Sequence, residues 1–468
     1  MRLDVLYVIS QGFSARMILH SDVMPELKAR GLSVGAVVPD PTEPAMKALA
    51  SDLGIMMVKG TVTSPFFNRH ADMLRRYLFE DVMGNKALRA KHIRDLASHN
   101  IRVFGQAKAY GAVNRLSRKL PVAKRFLERA QSAIYRNRDV ERTLKELAPR
   151  VVVICYPINA LECLFTAEAK RLGILTATQL LSWDNITCKG RFPVVSDRFI
   201  SWGPIMSKEL QEHYKLGDAQ ISNVGVPHFD THTAKTSHSL THQMVSGLGL
   251  DPQRPYILFG MSSPYFAPRE IDIVEKLAQW VSDDRFGAVQ LIVRPHPQNV
   301  VGHMADSSWV DRLKRIQGLR VGLDLPRIQQ SKLPWSVEQQ DLIRLGSLLR
   351  GAAVTINSGS TFSIDAILHD RPVVITAFDG DDTTLPWWQS ARRCIEYPHL
   401  EKLVALGGVR VVQTNEAFAS AIASYLKDPS LDHEGRSATR FEECGLCDGG
   451  AAKRTADTLV NWLSERQP

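Results

Sequence analysis

No stretch of this chain is apolar for the roughly 18–20 consecutive residues that a membrane span needs. The N-terminus, Met1-Arg2-Leu3-Asp4-Val5-Leu6-Tyr7-Val8-Ile9, carries an acid inside a short apolar run and has no small-residue cleavage site. It reads as a first β-strand, not as an export signal. Cysteine is scarce, with six in 468 residues. Cys444 and Cys447 form one C-x-x-C, without a second pair or a histidine pair at zinc spacing, so neither a disulfide framework nor a metal centre is expected. The loop after the first strand, Gln11-Gly12-Phe13-Ser14-Ala15-Arg16, lacks a complete G-x-G-x-x-G, which excludes the dinucleotide fingerprint. No tandem repeat is apparent. The expectation is a reduced, cytoplasmic protein.

The chain is 44% hydrophobic and long enough for two to three domains at about 100–200 residues each. Strand-length apolar runs alternate with helix-period segments, the pattern of parallel sheets covered by helices. Residues 3–9 read as a strand, 14–30 as a helix closed by Gly31, and 32–38 as a second strand. Further strands are expected at 150–155, 174–181 and 198–201. The polar stretch 231–244 has no sustained period and suits a linker. The rhythm then restarts, with strands at 256–260, 288–293, 353–356 and 373–377 and helices at 268–282, 341–349 and 361–368. The prediction is an α/β protein of two facing Rossmann-like domains, 1–235 and 245–445, and a C-terminal helix over 446–468. Ligand would bind where the carboxyl ends of the strands meet.

Charge is uneven. Overall the chain carries +9, but residues 86–150 hold 17 Lys/Arg against 5 Asp/Glu. A solvated helical face, a surface for anionic lipid and a nucleic-acid patch are the readings open to it. The absence of an aromatic stacking pattern weighs against nucleic acid.

Two motifs carry chemistry. In Leu291-Ile292-Val293-Arg294-Pro295-His296-Pro297 a strand ends in a cation and an imidazole on a proline-stiffened loop. Arg294 offers a bidentate fork to phosphate and His296 a donor to a phosphoryl oxygen. In Thr355-Ile356-Asn357-Ser358-Gly359-Ser360-Thr361 a second strand runs into a small polar turn and a helix. Hydroxyls and backbone N–H groups there suit an anion, or serve as a plain helix cap. Ser262 and Ser263 follow the strand at 256–260 in a turn that suits donor phosphates or simple packing. Asp379-Gly380-Asp381-Asp382 contains a D-x-D and reads as a polar loop more than as a metal site.

Arg294–Pro297, Asn357–Thr361 with Asp365, and Asp448-Gly449-Gly450-Ala451-Ala452-Lys453-Arg454 resemble the C-terminal domain of GT-B glycosyltransferases. Within that fold they look like bacterial capsule polysaccharide (Kdo-type) transferases and CDP-glycerol glycerophosphotransferases. The resemblance spans roughly residues 175–465. It implies that His296, Ser358, Gly359, Ser360 and Thr361 hold donor phosphates. It also implies that Asp365, where the family usually has Glu, contacts the donor's ribose or sugar. Ser182-Trp183-Asp184-Asn185-Ile186-Thr187-Cys188-Lys189-Gly190 looks like the glycerophosphotransferase segment in which Trp-His-Gly precedes Lys-x-Gly. Asp184 stands where that family has its basic His, so it is the candidate general base, with an Asx-turn as the bland reading. Lys189 would then offset phosphate charge, and Arg16 is the other acceptor-side candidate.

The expected function is transfer of a sugar or polyol phosphate from a nucleotide-activated donor to a glycan or lipid-linked acceptor. CMP- or CDP-linked donors are favoured over UDP-linked ones, and no cofactor is expected. The stretch 86–150 would rest on the anionic inner membrane, making the protein peripheral there, with no nucleic-acid partner. Two other classes stay open. One is an isomerase like UDP-N-acetylglucosamine 2-epimerase, although Asp365 stands alone where the epimerase pattern has adjacent glutamates. The other is a non-catalytic nucleotide-sugar-binding domain.

Overall fold

The computed structural model describes residues 2–60, 73–120, 135–300, 306–328, 331–333 and 338–465. Residues 121–134 of the basic stretch and 466–468 of the expected C-terminal helix lie outside these. The chain forms two compact units. The first comprises Met1–His228, Gln329–Ser336 and Glu443–Pro468; the second comprises Phe229–Ile328 and Val337–Glu442.

The first unit is built on a seven-stranded parallel sheet: β1 (Val5–Val8), β2 (Val34–Val38), β3 (Met56–Lys59), β4 (Val151–Ile154), β5 (Leu175–Gln179), β6 (Arg198–Ser201) and β7 (Ile221–Asn223). Their order is β3-β2-β1-β4-β5-β6-β7. β1, β2 and β4 are valine-rich and buried throughout, as parallel strands covered on both faces require. The expected helix over 14–30 is two short helices, Gly12–Ile18 and Val23–Ala29. Ser21 breaks the run: its hydroxyl donates to the Met17 carbonyl at 2.7 Å and diverts the backbone from helical pairing.

The C-terminal helix Ala451–Ser464 belongs to this unit and packs on the helix Val23–Ala29. Leu459, Trp462 and Leu463 enter the same core as β1, β2 and β4. Each such burial contributes about 1.5–3 kcal/mol relative to exposure. Arg30 pairs with Asp457 at 2.6 Å across the same contact.

The second unit holds a six-stranded parallel sheet: β8 (Tyr256–Gly260), β9 (Gln290–Arg294), β10 (Val321–Leu323), β11 (Val354–Asn357), β12 (Val373–Thr376) and β13 (Arg410–Val412). Their order is β10-β9-β8-β11-β12-β13. β3, β7, β10 and β13 lie at the sheet edges and had no counterpart in the sequence reading. The polar stretch read as a linker is helical instead, over Pro227–Ala234 and His238–Gly247. Phe229, Thr241 and Val245 are buried there, and the Thr241 hydroxyl donates to the Ser347 carbonyl at 2.8 Å. Hydroxyls satisfied within the fold made a packed segment look solvated.

The helix His433–Cys444 meets the turn at Gly407–Gly408 backbone to backbone, and a Cβ at Gly435 would overlap the Gly407 carbonyl. Since backbone cannot rotate away as a flexible side chain can, Gly435→Ala should destabilise the protein by about 1–3 kcal/mol or more. A thermal midpoint equal to that of the wild type would contradict this packing.

Candidate functional site

In each sheet the chain reverses its direction of growth once, between β1 and β4 in the first unit and between β8 and β11 in the second. Such switch points leave a crevice at the strands' carboxyl ends, where α/β sheets bind ligands. The loops after β8 and β11 hold Ser262, Ser263 and Ser358–Thr361; His296 lies beyond the neighbouring β9, and Asp184 and Lys189 beyond β5.

In the second unit a run of buried polar contacts crosses four adjacent strands at that end. Asn299, beyond β9, donates its amide to the Ser262 carbonyl at 3.0 Å. The Ser262 N–H, beyond β8, donates to the Glu270 carboxylate at 2.6 Å. Ser358, beyond β11, lies close enough to the Glu270 carboxyl to lower its pKa, while the second carboxyl oxygen of Glu270 is buried with no hydrogen-bond partner among the described residues. The Ser358 hydroxyl in turn shares a 2.8 Å bond with Thr376 at the end of β12. Glu270 and Ser358 are both 1% exposed. Burial pushes the Glu270 carboxyl up to about 8 against the opposing hydrogen bonds, so it is largely protonated at neutral pH.

The turn after β11 is organised by Asn357. Its side-chain oxygen accepts from the N–H groups of Gly359 at 2.8 Å and Ser360 at 2.9 Å. Gly359 has φ +83°, a left-handed conformation that favours glycine. Two backbone donors expected to meet an anion are therefore engaged internally. The hydroxyls of Ser360 and Thr361 sit on half-exposed residues and are the groups of this turn placed to meet a ligand. Asp365, on the following helix Phe362–Leu368, is buried.

Arg294 ends β9 with its guanidinium buried between carboxylates. It pairs with Asp324 and, at 2.5 Å, with Asp341, while Arg344 also reaches Asp324. Desolvation opposes the charge, but the two acids prevail and hold the Arg294 pKa above its ordinary value. This arginine anchors the loop that carries His296; its fork is occupied by Asp324 and Asp341. His296 lies two residues beyond β9, where burial lowers its pKa to about 4 and leaves the imidazole neutral at pH 7. Ser263 is 2% exposed, and its hydroxyl has no hydrogen-bond partner among the described residues.

The acids of the D-x-D loop are each engaged. Asp379 accepts from the Ser390 hydroxyl and, at 2.9 Å, from the Ala391 N–H. Asp381 pairs with Lys276 at 2.8 Å and Asp382 with Arg269 at 3.0 Å. Among the described residues no group of three His, Cys, Asp or Glu is placed to hold a metal ion.

The first unit repeats the clamp. Glu162, fully buried on the helix Ala160–Arg171, accepts from the Ser10 hydroxyl beyond β1. It also accepts from the N–H groups of Cys155 at 2.7 Å and Tyr156 at 2.6 Å, beyond β4. Burial raises its pKa to about 7. Asp184, beyond β5, pairs with Lys189 at 2.8 Å and accepts from the Asn185 amide at 3.3 Å. Its carboxylate raises the Lys189 pKa above the ordinary lysine range. Arg16 is half-buried on the helix Gly12–Ile18.

Glu162 and Glu270 escaped the sequence reading. Each stands in the first turn of a helix that follows a strand, a position where acids are common for dipole reasons alone. Only the fold shows that each bridges two loops distant in sequence.

No family model and no curated protein matches the sequence. Solved structures match in fold. A putative UDP-N-acetylglucosamine 2-epimerase from Listeria monocytogenes is 11% identical with a TM-score of 0.58, covering 100% of this chain and 98% of the other. The UDP-GlcNAc 2-epimerase from Neisseria meningitidis, bound to UDP-GlcNAc, gives 11% and 0.57 over 98% and 100%. A glycosyltransferase from Rickettsia africae gives 10% and 0.52 over 100% of both chains. The fold is GT-B-like. At these identities the likeness concerns architecture alone, an architecture shared by transferases and epimerases.

The Glu270 carboxyl has a raised pKa in the folded state, so its contribution to stability is full below the unfolded value near 4.5. It is lost as pH rises towards about 8, at up to about 1.4 kcal/mol per pH unit. Glu270→Gln keeps a neutral acceptor for Ser262 and removes this loss. Its thermal midpoint should gain on the wild type from about pH 5 to about pH 8 and then run parallel. A constant difference across that range would show that Glu270 does not titrate there.

Proposed function

We propose that the protein is a transferase that moves a sugar or polyol phosphate from a nucleotide-activated donor to a glycan or lipid-linked acceptor. The observation that carries this reading is the run of buried polar contacts from Asn299 through Ser262, Glu270 and Ser358 to Thr376. It fixes three polar loops side by side at the carboxyl ends of β9, β8 and β11. His296, Ser263, Ser360 and Thr361 stand on those loops, a set of neutral donors suited to a diphosphate. A neutral imidazole donates to a phosphoryl oxygen without carrying a charge of its own. As the bond to the leaving phosphate breaks, these donors stabilise the charge that collects on it.

On the acceptor side, Asp184 would take the proton of the attacking hydroxyl, with Lys189 holding the carboxylate in place. The resemblance described above favours a cytidine nucleotide. Two solved neighbours are described with UDP-GlcNAc or UDP bound, so uridine nucleotides are the direct competitors. The neighbours described as UDP-GlcNAc 2-epimerases support a second reading, epimerisation of a UDP-sugar, which needs no acceptor.

Calorimetry of CMP, CDP, UMP and UDP against wild type and His296→Ala, without added metal, tests the donor site. We expect micromolar binding of a cytidine nucleotide and a loss of about tenfold or more in the variant, or about 1.4 kcal/mol. No binding of any nucleotide would remove the donor reading. Conversion of a UDP-sugar with no acceptor present would establish the epimerase instead.

The helix Ile101–Ser117 and the residues that follow expose Arg102, Lys108, Arg115, Arg118 and Lys119 beside exposed Ile101, Leu116 and Leu120. Exposed cations beside exposed aliphatics suit an anionic bilayer surface, and this is the face of the 86–150 stretch that we place there. Replacing these five cations by Gln should abolish partitioning onto phosphatidylglycerol vesicles. Unchanged partitioning would refute the membrane role.

A further inference from the structure

Two asparagines, Asn85 and Asn114, make inward contacts from the basic stretch. Along the helix Ile101–Ser117, Ala107, Tyr110, Asn114 and Ser117 recur at intervals of three and four and form the face turned from solvent. Asn114 is 2% exposed, and its amide donates at 2.7 Å to the carbonyls of Tyr77 and Glu80. Both lie near the end of the helical run over 73–79, where the last carbonyls have no partner within their own helix. The Tyr110 ring stacks on Tyr77 at 5.3 Å. The Tyr77 hydroxyl shares a 3.0 Å bond with His92 Nδ1 on the helix Lys86–Leu96. A Cβ at Gly111 would stand 3.2 Å from the His92 ring, so these two helices meet closely. Buried side chains thus join the three helical segments into one block.

The same block holds the loop of Asp184 and Lys189. Asn85 caps the helix Lys86–Leu96 with its side-chain oxygen, which accepts from the N–H groups of Ala87 and Leu88. The amide nitrogen of that side chain donates to the Thr187 carbonyl at 2.6 Å. The Thr187 carbonyl and the Cys188 N–H belong to one planar peptide unit. Asn85 holds this unit by its oxygen, while its N–H donates to the Asp184 carbonyl at 3.0 Å. A single peptide plane therefore links the block to the backbone of the candidate base. Two residues on, Gly190 lies against the run over 73–79 and its end: a Cβ there would stand 3.5 Å from Arg76 Cγ and 3.8 Å from Glu80 Cγ.

We propose that Asn85 is a positioning residue for Asp184, and that the block makes this positioning respond to an anionic lipid surface. The helix Ile101–Ser117 presents cations and aliphatics on one side and Asn114 on the other, and the block it belongs to reaches the peptide between Thr187 and Cys188. Side chains packed to interior density do not deform gradually, so fixing the helix on a bilayer restricts the loop. By linkage, an occupant that orders the loop tightens lipid binding by the same factor. The bilayer then orders the group that would take the acceptor's proton. This coupling rests on the membrane role proposed above for the helix; the hold of Asn85 on the loop does not.

Hydrogen exchange of the full chain, with and without phosphatidylglycerol vesicles, tests the coupling. The reporters are the N–H groups of Asn185 and Cys188, bonded to the carbonyls of Ser182 and Asp184. The variant is Asn85→Ser, because serine caps a helix about as well as asparagine but has no amide for Thr187. In wild type, vesicles should slow exchange at both reporters about fivefold or more. Without vesicles, Asn85→Ser should exchange about tenfold faster at Cys188. It should still partition onto vesicles, which shows the block folded, yet its reporters should not respond to them. Wild type that partitions with no slowing, or Asn85→Ser that slows as wild type does, overturns the coupling and leaves the membrane role standing. Loss of partitioning in Asn85→Ser alone would give Asn85 a role in folding the block and overturn the coupling too. Wild type that does not partition at all refutes the membrane role, and the coupling with it.

Discussion

A carboxyl group removed from water, accepting from the Ser262 N–H and lying against Ser358, holds the candidate site of the second unit together. Without Glu270, the N–H of Ser262 would lose its acceptor in an interior where an unmet donor costs about 1–3 kcal/mol. The loops after β8 and β11 would also lose their shared partner. Everything proposed for the donor depends on those two loops keeping station, because the hydroxyls that would meet phosphate hang from them. Arg294 does the same for the loop after β9, by ion pairing instead of neutral hydrogen bonds. The polar groups of the site thus divide into those that fix the backbone and those left for ligand, the half-exposed hydroxyls of Ser360 and Thr361 and the buried, unpartnered hydroxyl of Ser263.

The first unit meets the same problem with the same device and a different electrostatic surrounding. Glu162 spans the loops after β1 and β4 as Glu270 spans those after β8 and β11. Beyond β5 the same end of the sheet carries the Asp184–Lys189 ion pair, fixed charge where the second unit offers neutral donors.

Much of this architecture is legible in the amino-acid sequence, for physical reasons that also mark the limit. Central parallel strands such as Val151–Ile154 and Tyr256–Gly260 are buried on both faces and appear as unbroken apolar runs. Edge strands such as Val321–Leu323 and Arg410–Val412 are three residues long and only partly buried, too faint to separate from loops. Residues 231–244 misled because Thr241 and its neighbours satisfy their hydroxyls inside the fold, which composition does not reveal. At the site, Arg294, His296 and the Ser358–Thr361 turn were visible because chemistry-bearing residues follow apolar runs directly. That the Arg294 fork would close on Asp324 and Asp341, 30 and 47 residues away, was not visible. Nor were the roles of Glu162 and Glu270, each a single acid in a helical first turn.

Residues 331–333 belong to the first unit although both flanks belong to the second, and they are tied there by Ser331 and Lys332 to Glu43 and Asp40. The chain's end returns to the first unit as well, beneath Trp462. No single cut therefore yields two self-sufficient fragments. A chain divided after the first 228 residues would leave one half without its closing helix and the other trailing two orphaned pieces.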